Sequence, residues 1–132
     1  MKTNGDITLY NRRYSKDTRS DVWCRTVLHN VWIYTDNKIQ LSDSGVKTAD
    51  VFKIRIPAHV STNKEYVSED AWQTVDADEC WTLQQDDCFC IGEGPEISAP
   101  SDLEKLRARS GRIFSWSDNR FGSQPHWRIE GK

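Results

Sequence analysis

Hydrophobic and polar residues alternate along much of the chain at the period of a half-buried strand. Across residues 21–34, Val22, Cys24, Thr26 and Leu28 alternate with Trp23, Arg25, Val27 and His29, in a stretch rich in β-branched and aromatic side chains. The pattern breaks at Asn30, which predicts a bulge or tight turn before residues 31–34. In residues 51–56, Phe52, Ile54 and Ile56 share one face and Lys53 and Arg55 the other, so one side of this strand is wet. Pro57 ends it, having no N–H to donate. Residues 7–10, 38–41, 80–83, 88–91, 112–117 and 126–129 are further short strand candidates, with the apolar runs 80–83 and 88–91 expected as a hairpin or a strand with a polar connection across Gln84-Gln85-Asp86-Asp87.

Between these runs, residues 11–19 read as an exposed polar and basic loop, and Ser42-Asp43-Ser44-Gly45 as another loop. Residues 58–78 look irregular, with one helical turn at Ser68-Glu69-Asp70-Ala71-Trp72 capped by Ser68. Gly92-Glu93-Gly94-Pro95 stops extended structure. After Pro100, Ser101-Asp102-Leu103-Glu104 has the form of a capping box and Ser110-Gly111 that of a C-terminal stop, predicting a helix over about residues 101–110 with Leu103 and Leu106 facing the sheet. The expected fold is one mainly β domain over 1–132, a small barrel or sandwich of about six or seven short strands with one short helix, and an irregular arm at 58–78.

A net charge of −2 argues against a general nucleic-acid binder, but the charge is segregated. Residues 1–30 hold six Lys or Arg against three acids, 65–104 hold twelve acids and no base, and 105–132 hold seven bases against two acids. Complementary fields of this kind fix register where copies of one protein meet. No apolar run has the length of a signal peptide or of a membrane span, so the expectation is a protein made in the cytoplasm without a membrane partner. Cys24, Cys80, Cys88 and Cys90 are then reduced thiols.

Candidate chemistry is sparse. Cys88-Phe89-Cys90 lacks the paired spacing of structural zinc; on a strand it puts both thiols on one face and Phe89 and Ile91 on the other, as buried small hydrophobes. No nucleophile elbow, phosphate-binding glycine loop or H-E-x-x-H pattern is present, and His126 beside Trp127 reads as a packing or interface histidine. Neither a catalytic residue, a metal site nor a cofactor is expected. Arg12, Arg13, Lys16 and Arg19, with Tyr14, form a basic loop able to touch phosphate in passing, as in a channel that DNA traverses. Tyr66, Trp72, Arg120 and Phe121 are the expected inter-subunit or partner contacts, since Trp, Tyr and Arg carry interface energy.

Taken in order, Ile7-Thr8-Leu9-Tyr10, Asp21-Val22-Trp23, Phe52-Lys53-Ile54-Arg55-Ile56-Pro57, Asp86-Asp87-Cys88-Phe89-Cys90-Ile91-Gly92, the capped helix and His126-Trp127-Arg128-Ile129 resemble a family of small phage and prophage structural proteins similar to head-tail joining proteins. The resemblance implies a non-enzymatic β-barrel subunit of the virion neck, of the head-closure or stopper kind. It would form a homo-oligomeric ring between portal or adaptor and tail proteins. A tail-terminator or tail-completion protein fits the same features. A small metal-dependent module, or a ligand-binding β domain with Trp72, Trp116 or Trp127 stacking on its ligand, is the alternative of another class.

Overall fold

The structure, a computed structural model, describes residues 2–42, 45–106 and 109–132, with the backbone alone at 36–42 and 45–50. In chain order the elements are β1 (Gly5–Ser15), β2 (Ser20–Ser42), β3 (Gly45–Pro57), β4 (Glu65–Tyr66), β5 (Cys80–Trp81), β6 (Cys88–Ile91), α1 (Ser101–Glu104), β7 (Ser110–Asn119) and β8 (His126–Gly131). Six strands close a barrel in the order β1-β2-β3-β8-β7-β6, each antiparallel to its neighbours.

The alternation in the sequence sets the inside of this barrel. Ile7, Leu9, Leu28, Phe52, Ile54, Ile56, Phe89, Ile113 and Ile129 fill the interior from all six strands. The break at Asn30 is a bulge: Asn30 has φ 62°, the β1–β2 register shifts from Gly5↔Val31 to Ile7↔Leu28, and the Asn30 N–H donates to Asp6 Oδ1 at 3.0 Å. Residues 58–87 leave the end of β3 and return to the start of β6. On the way they plug that end of the barrel with Trp81 and Leu83, both in the interior core. The arm expected at 58–78 thus lies on its own barrel: His29 N–H donates to Ser61 O at 3.0 Å, and Tyr66 stacks edge-on to Trp81 with ring centroids 5.0 Å apart.

A second apolar layer lies outside the barrel. Tyr10, Trp23, Cys88 and Cys90 on the outer face of β1, β2 and β6 are covered by Ile97, Leu103 and Leu106. Polar groups pin this cover: Tyr10 Oη donates to Pro95 O at 2.7 Å, Thr8 Oγ1 donates to Gly92 O at 2.7 Å, and Thr8 Oγ1 accepts from Gly94 N at 2.9 Å. A side chain at Gly94 would collide with Tyr10 Oη and Cys90 Sγ, so the close approach requires glycine.

Several expected boundaries are corrected. The strands are not all short: β2 has 23 residues and β3 has 13. Residues 11–19 are no loop, because β1 pairs with β2 as far as Ser15↔Ser20 and only residues 16–19 turn; ladder bonds satisfy the backbone while the polar side chains stay in water. The 38–41 strand is part of β2, and Ser42 pairs with Gly45 across residues 43 and 44, which lie outside the described residues. Residues 80–83 do not form a hairpin with β6; β5 pairs in parallel with β4. The expected ten-residue helix is four residues long. Pro100 is its cap residue, with αR angles and no side-chain cap bond, and the Asp102 carboxylate instead accepts from the N–H groups of Ser98 and Ala99. The helix has Lys105 as its C-cap, and Ser110, expected as its stop, pairs with Cys90 in the barrel. The turn at Glu69–Ala71 is a 3₁₀ turn, without a side-chain cap from Ser68.

Candidate interaction surfaces

Three surfaces collect the polar and aromatic side chains that the fold does not bury. The first is the tip of the β1–β2 hairpin. Arg12, Lys16 and Arg19 are exposed there, beside Tyr14 at 53% exposure. Arg13 is set apart from them: its guanidinium donates to Val75 O and Gln73 O and lies 5.5 Å over the Trp72 ring. Trp72, expected at the surface, is fully buried and donates its indole N–H to Arg12 O at 3.0 Å, so it locks the plug to β1.

The second surface is the β7–β8 turn. Tyr66, Trp81 and Trp127 form a cluster with centroids 4.7–5.1 Å apart. Arg120 lies over Tyr66 at 5.1 Å and over Trp127 at 4.9 Å, and donates to both Asp118 oxygens at 2.9 and 2.7 Å. The Arg120 hydrogen bonds hold the Asp118 carboxyl below its ordinary range, and burial pushes the Tyr66 phenol up. Next to this fixed guanidinium, Phe121 is 92% exposed. Of the rings expected to stack on a ligand, Trp127 is buried and Trp116 half-buried.

The third surface is the outer face of β2, β3 and β8, which sequence reasoning did not single out. Strand register places Trp32, Arg55 and Arg128 in one row and Tyr34, Lys53 and Glu130 in the next. Trp32 packs on Tyr34 with centroids 4.5 Å apart, Arg55 lies 4.9 Å over Trp32, and Arg128 pairs with Glu130. A groove of about 490 Å³ opens here between Lys2, Trp32, Arg55 and Gln124, and Arg55 Nε is buried without a hydrogen-bond partner. The wet side of residues 51–56 announced Lys53 and Arg55; which strands would flank them depends on register, which the sequence does not display.

Among the described residues one acid is fully buried. Asp87, 1% exposed, takes hydrogen bonds from Asn11 Nδ2 at 2.9 Å, the Arg12 N–H at 3.0 Å and Gln84 Nε2 at 3.0 Å. Burial outweighs these donors and pushes its carboxyl up to about 6. Cys88 and Cys90 share one face with Phe89 on the other, and burial raises the thiols of Cys88 and Cys24, which opposes the thiolate form that nucleophiles and ligands need. Among the described residues no three His, Cys, Asp or Glu side chains gather as a metal site would require. His126 Nδ1 sits 2.7 Å from Gln124 O in the β7–β8 turn. No helix among them is long and apolar enough to cross a membrane.

No curated protein and no solved structure matches the chain. Residues 2–132 match a family of unknown function, DUF6751, and the chain belongs to that family.

Proposed function

We propose that this protein is a non-enzymatic structural subunit of a phage neck, forming a homo-oligomeric ring that joins the head, at its portal or adaptor, to the tail. The observation that carries the reading is the β2–β3 ribbon. The last barrel rung of β3 is Phe52↔Gly131, yet β2 and β3 remain paired from Asp36↔Val51 out to Ser42↔Gly45. Seven residues of strand rise roughly 23 Å at about 3.3 Å each, so the ribbon reaches well beyond the barrel. Among the described residues no third strand pairs with it. A two-stranded ribbon alone in water is marginal, and its open edges invite pairing with another chain; neighbours in a ring supply that pairing. The exposed Phe121 beside a fixed Arg120, and the basic tip at Arg12, Lys16 and Arg19, suit partner docking and passing contact with DNA.

Electron microscopy of particles made with and without this gene tests the reading. Loss of the protein is expected to leave heads and finished tails as separate objects. Complete particles without it refute the neck assignment.

A further inference from the structure

Of the six asparagines in the chain, Asn4 alone is followed by glycine; Arg, Val or Lys follows the other five. The side-chain amide of an asparagine is open to attack by the backbone nitrogen of the next residue, and a side chain on that residue hinders the approach. Glycine has none. Asn4 is also exposed, and it carries the line of β1 one step past the strand itself. Its backbone N–H donates to Val31 O at 2.9 Å, its Nδ2 donates to Ile33 O at 2.7 Å, and its Oδ1 accepts from the Ile33 N–H at 2.8 Å. The side-chain amide thus takes the place that a further strand residue would hold opposite Ile33. The β1–β2 ladder ends at Gly5↔Val31, and the next backbone groups on that edge of β2, those of Thr35, have no strand beside them among the described residues. One side chain therefore closes the root of the ribbon's edge.

We propose that Asn4-Gly5 is a deamidation site gated by this clamp, and that its conversion opens the β2 edge at Ile33. The Gly5 nitrogen bonds to Asn4 Cγ, the Cγ–Nδ2 bond breaks, and ammonia leaves with the proton of the Gly5 nitrogen. Water then opens the succinimide at one of its two carbonyls, giving aspartate or isoaspartate. While Ile33 holds both ends of the amide, Cγ reaches the Gly5 nitrogen only when the clamp opens. Both bonds are exposed and individually weak, so folding slows the reaction about 10- to 100-fold rather than stopping it. Asn11, by contrast, is buried with Nδ2 on Thr82 O and Asp87 Oδ2, and Arg12 follows it. Either product undoes the clamp. A carboxylate has no donor for Ile33 O and is repelled by it, and isoaspartate also adds a methylene to the main chain ahead of the Gly5↔Val31 pair. Conversion lengthens the ribbon's open edge by one rung. Every group involved lies within one chain, so the site does not depend on ring formation.

Peptide mass spectrometry of the full chain, aged at neutral pH with and without concentrated urea, provides the test, with amide hydrogen exchange at Ile33 as a second readout. Asn4 is expected to convert before the other five asparagines under both conditions, about 10- to 100-fold more slowly in the folded protein, and to yield isoaspartate besides aspartate. Gly5→Ala should suppress the conversion under both. The added methyl meets the end of the Ile33 side chain at 3.3 Å, and a thermal melt establishes that the variant folds. Asn4→Asp, which reproduces one product, should speed exchange of the Ile33 amide about tenfold and leave the Ile54 amide unchanged. An Asn4 that outlasts another asparagine in the folded protein overturns the site. Conversion as fast folded as in urea overturns the gate. Exchange at Ile33 that is the same in wild type, in Asn4→Asp and in the aged protein overturns the opening of the edge.

Discussion

Replacing Asp87 by Asn isolates the one fully buried carboxylate among the described residues. The oxygens of Asp87 face three neutral donors, from Asn11, Arg12 and Gln84, and burial is the larger influence on its proton affinity. The folded carboxyl is pushed from 3.8 to about 6. At 1.36 kcal/mol per tenfold change in proton affinity, that difference is worth roughly 3 kcal/mol. The sign follows from proton counting. Between pH 3.8 and about 6 the folded state holds a proton that the unfolded state has released, so the contribution is complete below 3.8 and is lost as pH rises through about 6. Wild type should therefore lose about 3 kcal/mol relative to Asp87→Asn across that window and track it above. The assay is urea unfolding of both proteins at a series of pH values from about 3.5 to 7.5, compared as a difference so that every other titrating group cancels. A flat difference refutes the reasoning. So does a wild type that gains on the variant as pH rises, which would mean that the three donors hold the carboxyl below 3.8.

Other perturbations probe the plug and the close approaches. Trp72→Ala removes a fully buried indole and its bond to Arg12 O, and should cost about 3–5 kcal/mol in denaturant unfolding, with proteolysis first appearing within residues 58–87. Gly131→Ala places a methyl against Phe89 and 2.8 Å from Arg112 O, a backbone atom that the β7–β8 ladder holds still; a loss of about 1–3 kcal/mol in thermal unfolding is expected. Cys88 and Cys90 should react with a thiol reagent at least about 100-fold more slowly in the native protein than in denaturant, as mass spectrometry of labelled peptides will read.

The barrel's interior was legible because alternation is a local signal. Phe52, Ile54 and Ile56 inward with Lys53 and Arg55 outward, Phe89 inward with both flanking thiols outward, and the break at Asn30 all follow from residues one or two apart. Strand length was not legible. In β1 the residues after Asn11 pair with β2 although they are polar, because ladder bonds do not depend on side-chain hydrophobicity and the tip of a hairpin needs no core. The capping signal at residues 101–104 was misleading: Asp102 takes the N–H groups of Ser98 and Ala99 in place of a Ser101 cap, and Ser110, expected as the helix stop, belongs to the barrel. Arg120 meets Tyr66 from 54 positions away, and the neighbours in the row Trp32, Arg55, Arg128 are 23 and 73 positions apart, which only register and topology bring together.

Strand edges tie these observations into one argument. Where β6 stops pairing at Tyr10, the Arg12 N–H is met by Asp87 and its carbonyl by Trp72 and Gln84. Where β3 leaves β2, the His29 N–H is met by Ser61 and the Arg25 carbonyl by Lys64 at 2.7 Å. The chain thus spends residues 58–87, with their buried tryptophans and a costly buried carboxylate, on covering edges that a barrel of unequal strands would leave bare. The β2–β3 ribbon receives no such cover from a third strand among the described residues. A ribbon projected beyond its own barrel in this way is what the proposed ring would use, its last backbone partners then coming from neighbouring copies.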